Sequence, residues 1–530
     1  MKAKSPRRTQ SQKKAKKPSG SGFRVSRTHK PDGLALEQWQ RLIRKQYAET
    51  QEFKLENLGG HPVISEFLLT NPASGNTYKV AVRGLAPGDN YCSCPDYSIN
   101  SLGTCKHIEF TLAKLLKKRG GKKALQEGRV LPFSEVYLSY GLIRQVRFKA
   151  GQDSPNGLLA LAGRFFDAGG ALKEERLLDF HQFVDRAIGW PGHEVRIYDD
   201  TLSFIAGHQD ARWRLSVVDE MLKKGDGCFF DGLLNTELYP YQQDGVLFAA
   251  RAGRCLIGDE MGLGKTVQAL AAAELMARLF KIKKVLVVSP ASLKYQWQTE
   301  IGSFSGRAAQ VMEGPRRRRE EQYRQQSFYK LVNYELVFRD LDLINEWKPD
   351  LIILDEAQRI KNWKTRTAQS VKQLESMFAI ILTGTPLENR IEELHSIVEF
   401  IDRYHFGPLY RFVHNHRILD EDGKMTGYRN LKGVRDSLKD VMIRRKKEEV
   451  LSQLPERIDK NFIVPMTPEQ LVIHDENKEI AARLAAKWRR YRFLSEADQR
   501  RLQIALNYMR MAAGNTYLVD KKNDPRSQAR

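Results

Sequence analysis

Between about Glu237 and Leu454 the chain alternates helical stretches with short apolar runs: "CLIG", "VLVVSP", "YKLVNY", "LIILDE" and "AIILTG". These runs are apolar on consecutive residues and rich in Val and Ile, as strands of a parallel sheet covered on both faces must be. They predict an open, doubly wound α/β domain. The preceding pattern differs. Residues 33–129 open helix-like, continue with the alternating strand-like runs "PVISEFLLT" and "TYKVAVRG", and end in the helix-like "HIEFTLAKLLKKRG". Residues 130–236 are mixed α+β and show no evident chemistry; in "HEVRIYDDTLSFIAG" two alternating runs flank "DD" and predict a hairpin. Residues 455–530 are mostly helical and charged. Five regions are therefore expected, 1–32, 33–129, 130–236, 237–454 and 455–530, with no internal repeat.

Charge sharpens this division. Across 530 residues, 87 Lys and Arg face 64 acidic residues, a formal +23 that points to phosphate-bearing partners. Almost half of the excess lies in residues 1–30, which hold 11 basic residues and no acidic one. With almost nothing apolar to bury, the tail 1–32 is expected to be disordered, as a nucleic-acid arm that releases counterions or as a solubilising tail. No apolar run approaches the roughly 20 residues that span a bilayer, and the N-terminus carries charge where a secretory signal needs an apolar stretch. No membrane partner is expected. The protein is expected inside the cell, in the cytoplasm or nucleoid of a bacterium or the nucleus of a eukaryote. Five cysteines are too few for a disulfide framework in a chain of this length.

Three of them cluster. "YCSCPDYSINSLGTCKHIEF" presents Cys92, Cys94, Cys105 and His107, a C-x-C pair and a C-x-H pair ten residues apart. In extended chain, residues two apart face the same side, so each pair can aim two soft ligands at one point and together fill a tetrahedral zinc site. A site with no position left for water is structural, and such zinc contributes on the order of 10 kcal/mol or more to folding. The spacing resembles the SWIM zinc finger at all four ligand positions, which implies nucleic-acid or protein binding.

In "DEMGLGKT" an apolar strand runs into Gly262 and Gly264, which let backbone N–H groups approach phosphate at a helix start. Lys265 would reach the β and γ phosphates of ATP, and Thr266 would ligate Mg²⁺. The general G-x-x-x-x-G-K-[ST] string is not met, because Asp259 holds its first position and Gly258 lies one residue earlier. A second strand, in "DLIILDEAQRIKN", ends in Asp355 and Glu356, one carboxylate to hold Mg²⁺ and its neighbour to activate the attacking water. Of the basic runs, Arg316 to Arg319 reads equally well as solvated surface, whereas Arg444 to Lys447 lies inside "MIRRKKEEVLSQLPE", which resembles a motif of Swi/Snf-type ATPases, and that resemblance implies a functional role.

These strings, with "LYPYQQDGVLF", "VLVVSPASLKYQWQTEI", "LVNYE", "ILTGTPLENRIEELHSIVEFI" and "MIRRKKEEVLSQLPE", occur in the order of Swi/Snf-type ATPases of helicase superfamily two. The resemblance covers about Leu238 to Leu454, the first RecA-like lobe, and Asp259 is the residue that family places there too. It implies an ATP-dependent translocase on double-stranded DNA. Gln242 resembles the adenine-reading glutamine, Lys265 and Thr266 the phosphate and Mg²⁺ residues, and Asp355 and Glu356 the catalytic pair. Gln358, Thr383, Gly384 and Thr385 resemble the residues that couple nucleotide state to DNA grip, and Ser289, Pro290 and Asn333 those that touch the DNA backbone. In this family arginines from a second RecA-like lobe complete the site, and the 76 residues past Leu454 offer no further set of parallel-strand runs. The expectation is a first lobe that needs a second in trans or lost by truncation, with a second polypeptide as a partner. The alternative is a non-catalytic ATP- and DNA-binding scaffold or regulator.

Overall fold

Val285, Leu286, Val287 and Val288 are fully buried, and so are Leu351, Ile352, Ile353 and Leu354. Alternate members face opposite ways: Val285, Val287, Leu351 and Ile353 enter one apolar core, while Leu286, Val288, Ile352 and Leu354 enter another. A strand apolar on both faces needs cover on both, and the fold supplies it. The computed structural model of the chain describes residues 24–128, 130–141, 143–224, 228–384, 390–420, 425–450 and 463–519. It forms two compact units, 1–453 and 454–530.

The first unit begins with an antiparallel sheet in the order β1 (Lys54–Asn57), β2 (Glu66–Thr70), β3 (Thr77–Ala81), β4 (Tyr91–Cys92), as the alternating runs predict for β2 and β3. The helix Lys106–Leu115 lays Ile108 and Leu115 into a core shared with Phe67, Leu69 and Val80. A smaller sheet follows, in the order β6 (Arg144–Lys149), β5 (Ser134–Tyr140), β7 (Val195–Ile197), over a cluster of Phe148, Phe165, Phe166, Phe180 and Phe183. The hairpin expected around "DD" does not form: β7 is followed by the 26-residue helix Asp199–Lys224. Asp199 and Asp200 occupy its first turn, where the helix dipole favours carboxylates. The buried residues Thr201 and Ile205 are spaced for a helix, so the apparent alternation of Leu202 and Phe204 is incidental.

The main sheet has seven strands: β8 (Arg254–Ile257), β9 (Val285–Ser289), β10 (Ala309–Val311), β11 (Tyr329–Asn333), β12 (Leu351–Leu354), β13 (Phe378–Leu382) and, after the antiparallel pair β14 (Arg417–Leu419) and β15 (Met425–Tyr428), β16 (Met442–Ile443). Its order is β10-β11-β9-β12-β13-β8-β16, and all its pairings are parallel. All five predicted runs are strands, and the sheet is of the RecA-like, doubly wound kind expected; β10 and β16 are additions. Helix Lys265–Phe280 covers one face through Ala269 to Met276, and helices Tyr334–Arg339, Leu341–Trp347, Arg366–Val371 and Ile391–Ile401 cover the other.

Of the expected tail, residues 1–23 lie outside the described residues. Within residues 24–32 Val25 is buried and the Trp39 indole donates to the Ser26 carbonyl at 2.8 Å, while most of the others are exposed. The second unit is a helical hairpin, Pro468–Tyr491 and Glu496–Gly514. Thr467 and Gln470 form a reciprocal capping box at its start, and Ser495 caps the second helix. Among the described residues no helix is long and apolar enough to cross a membrane.

Candidate functional site

β12, β13 and β8 lie side by side, with register pairs Leu354↔Ile381 and Leu382↔Ile257. The loops that start at Asp355, Thr383 and Gly258 therefore open together at the carboxyl edge of the sheet, where open α/β folds form their ligand crevice.

The loop after β8 has a conformation only glycine adopts readily at two points, Gly262 (φ +85°) and Gly264 (φ +68°). A Cβ on Gly264 would also lie 2.5 Å from Gln242 Nε2. Gly264 begins the 16-residue helix Lys265–Phe280, whose unpaired first-turn amides and dipole favour an anion. Lys265 Nζ folds back over the loop and donates to the carbonyls of Asp259 (2.9 Å) and Glu260 (3.4 Å). Burial lowers the Lys265 pKa, against the pull of Glu356, Asp259, Asp355 and Glu260. Thr266 is half-buried in the first turn beside it.

Asp355 is held from three sides: the Trp297 indole N–H donates to Oδ2 at 2.8 Å, the Glu356 N–H to Oδ1 at 2.9 Å, and the Tyr334 hydroxyl to its carbonyl at 2.7 Å. Burial raises its pKa, while the indole bond opposes the rise. Glu356 sits in the left-handed region at φ +51°, a conformation that costs a non-glycine residue energy and is found at functional sites. Its carboxylate accepts from Gln358 Nε2 at 2.5 Å, and Gln358 Oε1 accepts from the Thr383 hydroxyl at 3.4 Å. A Cβ built on Gly384 would lie 3.7 Å from Lys265 Nζ. The structure thus gathers Gln242, Asp259, Gly262, Gly264, Lys265, Thr266, Asp355, Glu356, Gln358, Thr383 and Gly384 at one edge; Thr385 lies outside the described residues.

Ser289 and Asn333 end β9 and β11 as register partners, further along the same edge. The Ser289 side chain is buried with its hydroxyl on the Pro290 carbonyl (3.3 Å), and Asn333 Nδ2 donates to Glu335 at 2.6 Å. Of the two basic runs, the first contributes to packing: Arg319 forms a buried two-pronged ion pair with Asp340, at 2.6 and 2.7 Å. In the second, Arg445 reaches Asp259 in the phosphate loop. Trp297, Tyr334 and Gln268 are the site residues the sequence did not single out, although the first two lie within the strings "YQWQ" and "LVNYE", whereas Arg445 belongs to the run Arg444 to Lys447 expected to be functional.

Far along the chain, Cys92, Cys94, Cys105 and His107 are all buried, with their ligand atoms within 4.8 Å of one another. Cys92 ends β4, Cys94 caps the helix Pro95–Asn100, and Cys105 immediately precedes the helix Lys106–Leu115 that carries His107 in its first turn. The Cys94 sulfur accepts from the Tyr97 N–H at 3.4 Å, and hydrogen bonds from the Cys105 and Cys92 thiols hold it well below the usual thiol range, while burial raises Cys105. Stacking on Tyr78, with ring centroids 4.5 Å apart, orients the His107 ring. Soft donors, convergence and burial fit a four-coordinate zinc ion. Cys255, in β8, is a core residue whose thiol burial pushes up to about 12.

The chain is similar to known proteins. The mouse DNA annealing helicase and endonuclease ZRANB3 is 33% identical over 280 residues, covering 45% of this chain and 24% of that protein. The human DNA repair and recombination protein RAD54B is 30% identical over 257 residues, covering 43% of this chain and 28% of that protein. The chain thus spans about a quarter of the length of these curated relatives. The solved Sulfolobus solfataricus SWI2/SNF2 ATPase core in complex with dsDNA matches at 24% identity and a TM-score of 0.39, over 55% of this chain and 61% of that one. The SNF2-related domain matches residues 201–511, more than half of the sequence, and the chain belongs to that family.

Proposed function

We propose that the chain carries the ATP-hydrolysing lobe of a translocase that moves on double-stranded DNA and remodels protein–DNA complexes, with a structural zinc module as accessory. The observation that carries this is the convergence of Lys265, Asp355 and Glu356 at the ends of adjacent parallel strands, in a chain of the SNF2-related family. In this proposal residues 237–454 are the ATP-binding lobe, 33–129 the zinc module, 130–236 a link between them, 1–32 a basic tail and 455–530 a helical extension.

The amides after Gly262 and the Lys265 ammonium receive the β and γ phosphates, and Gln242, packed against Gly264, reads the adenine edge. Thr266 and Asp355 hold the magnesium ion, which when bound offsets charge on the transferring phosphoryl oxygens. Glu356 takes a proton from the attacking water, and its link through Gln358 to Thr383 couples the state of the γ phosphate to the grip on DNA, a role shared by Gly384 and Thr385. Duplex DNA lies along the carboxyl edge past Ser289, Pro290 and Asn333. Cys92, Cys94, Cys105 and His107 hold one zinc ion. Turnover is completed by arginines of a second RecA-like lobe, from a longer chain or another polypeptide, a contribution of roughly 10³ to 10⁵ in rate.

The test is ATP hydrolysis with and without duplex DNA, for this chain alone and mixed with a second-lobe polypeptide. Little turnover is expected alone and DNA-stimulated turnover with the second lobe, abolished by Glu356→Gln while nucleotide binding persists. DNA-stimulated hydrolysis that survives Glu356→Gln defeats the assignment of the base. Binding of Mg·ATP that survives Lys265→Ala defeats the site.

A further inference from the structure

Asp259 is fully buried at the position where the general phosphate loop has a glycine, so its charge needs partners. Arg445, 186 residues further on, supplies most of them: its backbone N–H donates to Oδ1 at 3.0 Å, Nε to Oδ1 at 3.1 Å and Nη2 to Oδ2 at 2.6 Å. Gln268, on the helix that follows the loop, adds a bond to Oδ2 at 2.9 Å. The same guanidinium donates to Gln268 Oε1 at 2.8 Å and to the Tyr241 carbonyl, beside the adenine-reading candidate Gln242. One side chain therefore ties together the helix before the strand, the loop and the helix after it.

The backbone around Arg445 runs the same way. Gly258 N–H donates to the Ile443 carbonyl (2.8 Å), Glu260 N–H to the Arg445 carbonyl (3.0 Å), and Lys447 N–H to the Glu260 carboxylate (2.8 Å). Edge strand β16 thus extends as a clasp along the phosphate loop. Gly245 bears this out independently. A Cβ there would lie 2.0 Å from Gln268 Oε1 and 2.8 Å from Arg445 Nη2, so the helix has a glycine where these two side chains need the space.

We propose that Arg445 is a positioning residue of the nucleotide site: through Asp259 it holds the phosphate loop open to the triphosphate and makes residues 441–447 a part of that site. The inference rests on the proposed ATP-binding function and deepens it. A lysine at this position keeps the charge but loses the planar fork that reaches several acceptors at once. The clasp also means that whatever displaces residues 441–447 changes nucleotide affinity.

The test uses the full chain. Hydrogen exchange is followed in nucleotide-free protein, and Mg·ATP affinity by calorimetry, for wild type, Arg445→Lys and the double variant Asp259→Ala/Arg445→Met, which leaves no unpaired buried charge. Both variants are expected to exchange amides 258–266 on the order of tenfold faster, with β9 and β12 as protected as in wild type. Both are expected to bind Mg·ATP roughly tenfold to a hundredfold more weakly. Gly245→Ala should move both readouts the same way. Wild-type loop exchange and affinity in both variants overturn the proposal while leaving the ATP site intact. Faster loop exchange in a protein whose wild type binds no Mg·ATP supports the clasp and overturns the nucleotide function instead.

Discussion

Lys265 carries a pH dependence that follows from its surroundings. In the nucleotide-free fold its ammonium bonds two backbone carbonyls, and burial lowers its pKa from the ordinary 10.5, because a charged group loses water there. A bound triphosphate would replace those dipoles by full negative charges and favour the protonated form. The complex then binds more protons than the free protein between the lowered pKa and the pKa in the complex, so affinity falls as pH rises through that window. Calorimetry at an alkaline pH inside that window, in two buffers of different ionisation heat, should register proton uptake on Mg·ATP binding. Lys265→Ala should bind at least about a hundredfold more weakly and without uptake. Buffer-independent heats in wild type would show that Lys265 does not meet the phosphates.

At the level of elements, the sequence was informative wherever one strand or loop defines itself. β8, β9, β11, β12 and β13 are legible because consecutive apolar residues admit one solution, a strand covered on both faces. β10 and β16 are three and two residues long and half-buried, and they are strands only because a neighbour pairs with them. The hairpin expected at Asp199 failed because alternation over so short a run does not outweigh a helix start marked by two carboxylates. The site divided similarly. Lys265, Asp355 and Glu356 sit in contiguous strings, while the Trp297 bond to Asp355 spans 58 residues and has no local signature. That contact links the helix Lys294–Ser305 to the end of β12 and can be tested alone. Trp297→Phe keeps most of the ring and removes the donor, leaving the half-buried carboxylate short of a partner at a cost of about 1–3 kcal/mol. Burial raises the Asp355 pKa above the ordinary 3.8, so on acidification its carboxylate becomes neutral earlier than an exposed one. The indole stabilises the charged form. The stability deficit of Trp297→Phe in urea unfolding should therefore be full at pH above the Asp355 titration and shrink as pH falls through it. A deficit independent of pH would mean that lost packing, not the hydrogen bond, sets it.

For the whole molecule the question is how far the proposed metal site and the nucleotide site depend on each other. Their cores are separate: Phe67, Leu69, Val80, Cys92, Cys105 and Ile108 belong to one apolar cluster, and the residues of the parallel sheet to two others. Polar contacts join the two parts. The Tyr410 hydroxyl donates at 3.0 Å to the carbonyl of Asn100, the last residue of the helix Pro95–Asn100 between the ligand pairs, and Arg411 pairs with Glu37. Contacts of this kind contribute about 1 kcal/mol each, whereas a structural zinc contributes on the order of 10 kcal/mol to the module that binds it. Losing the metal should therefore unfold residues 33–129 long before it disturbs the sheet. Metal analysis of reduced protein should find about one zinc per chain, released by a strong chelator or by Cys94→Ser. Limited proteolysis of the metal-depleted protein should then cut within 33–129 and spare 240–450, and Mg·ATP affinity should stay within about threefold of the untreated protein, less than 1 kcal/mol. Zinc well below half an equivalent would remove the metal from the account. Loss of nucleotide binding together with the zinc would mean that Asn100, Tyr410 and Arg411 transmit far more than their bonds suggest, and that the two sites form one cooperative body.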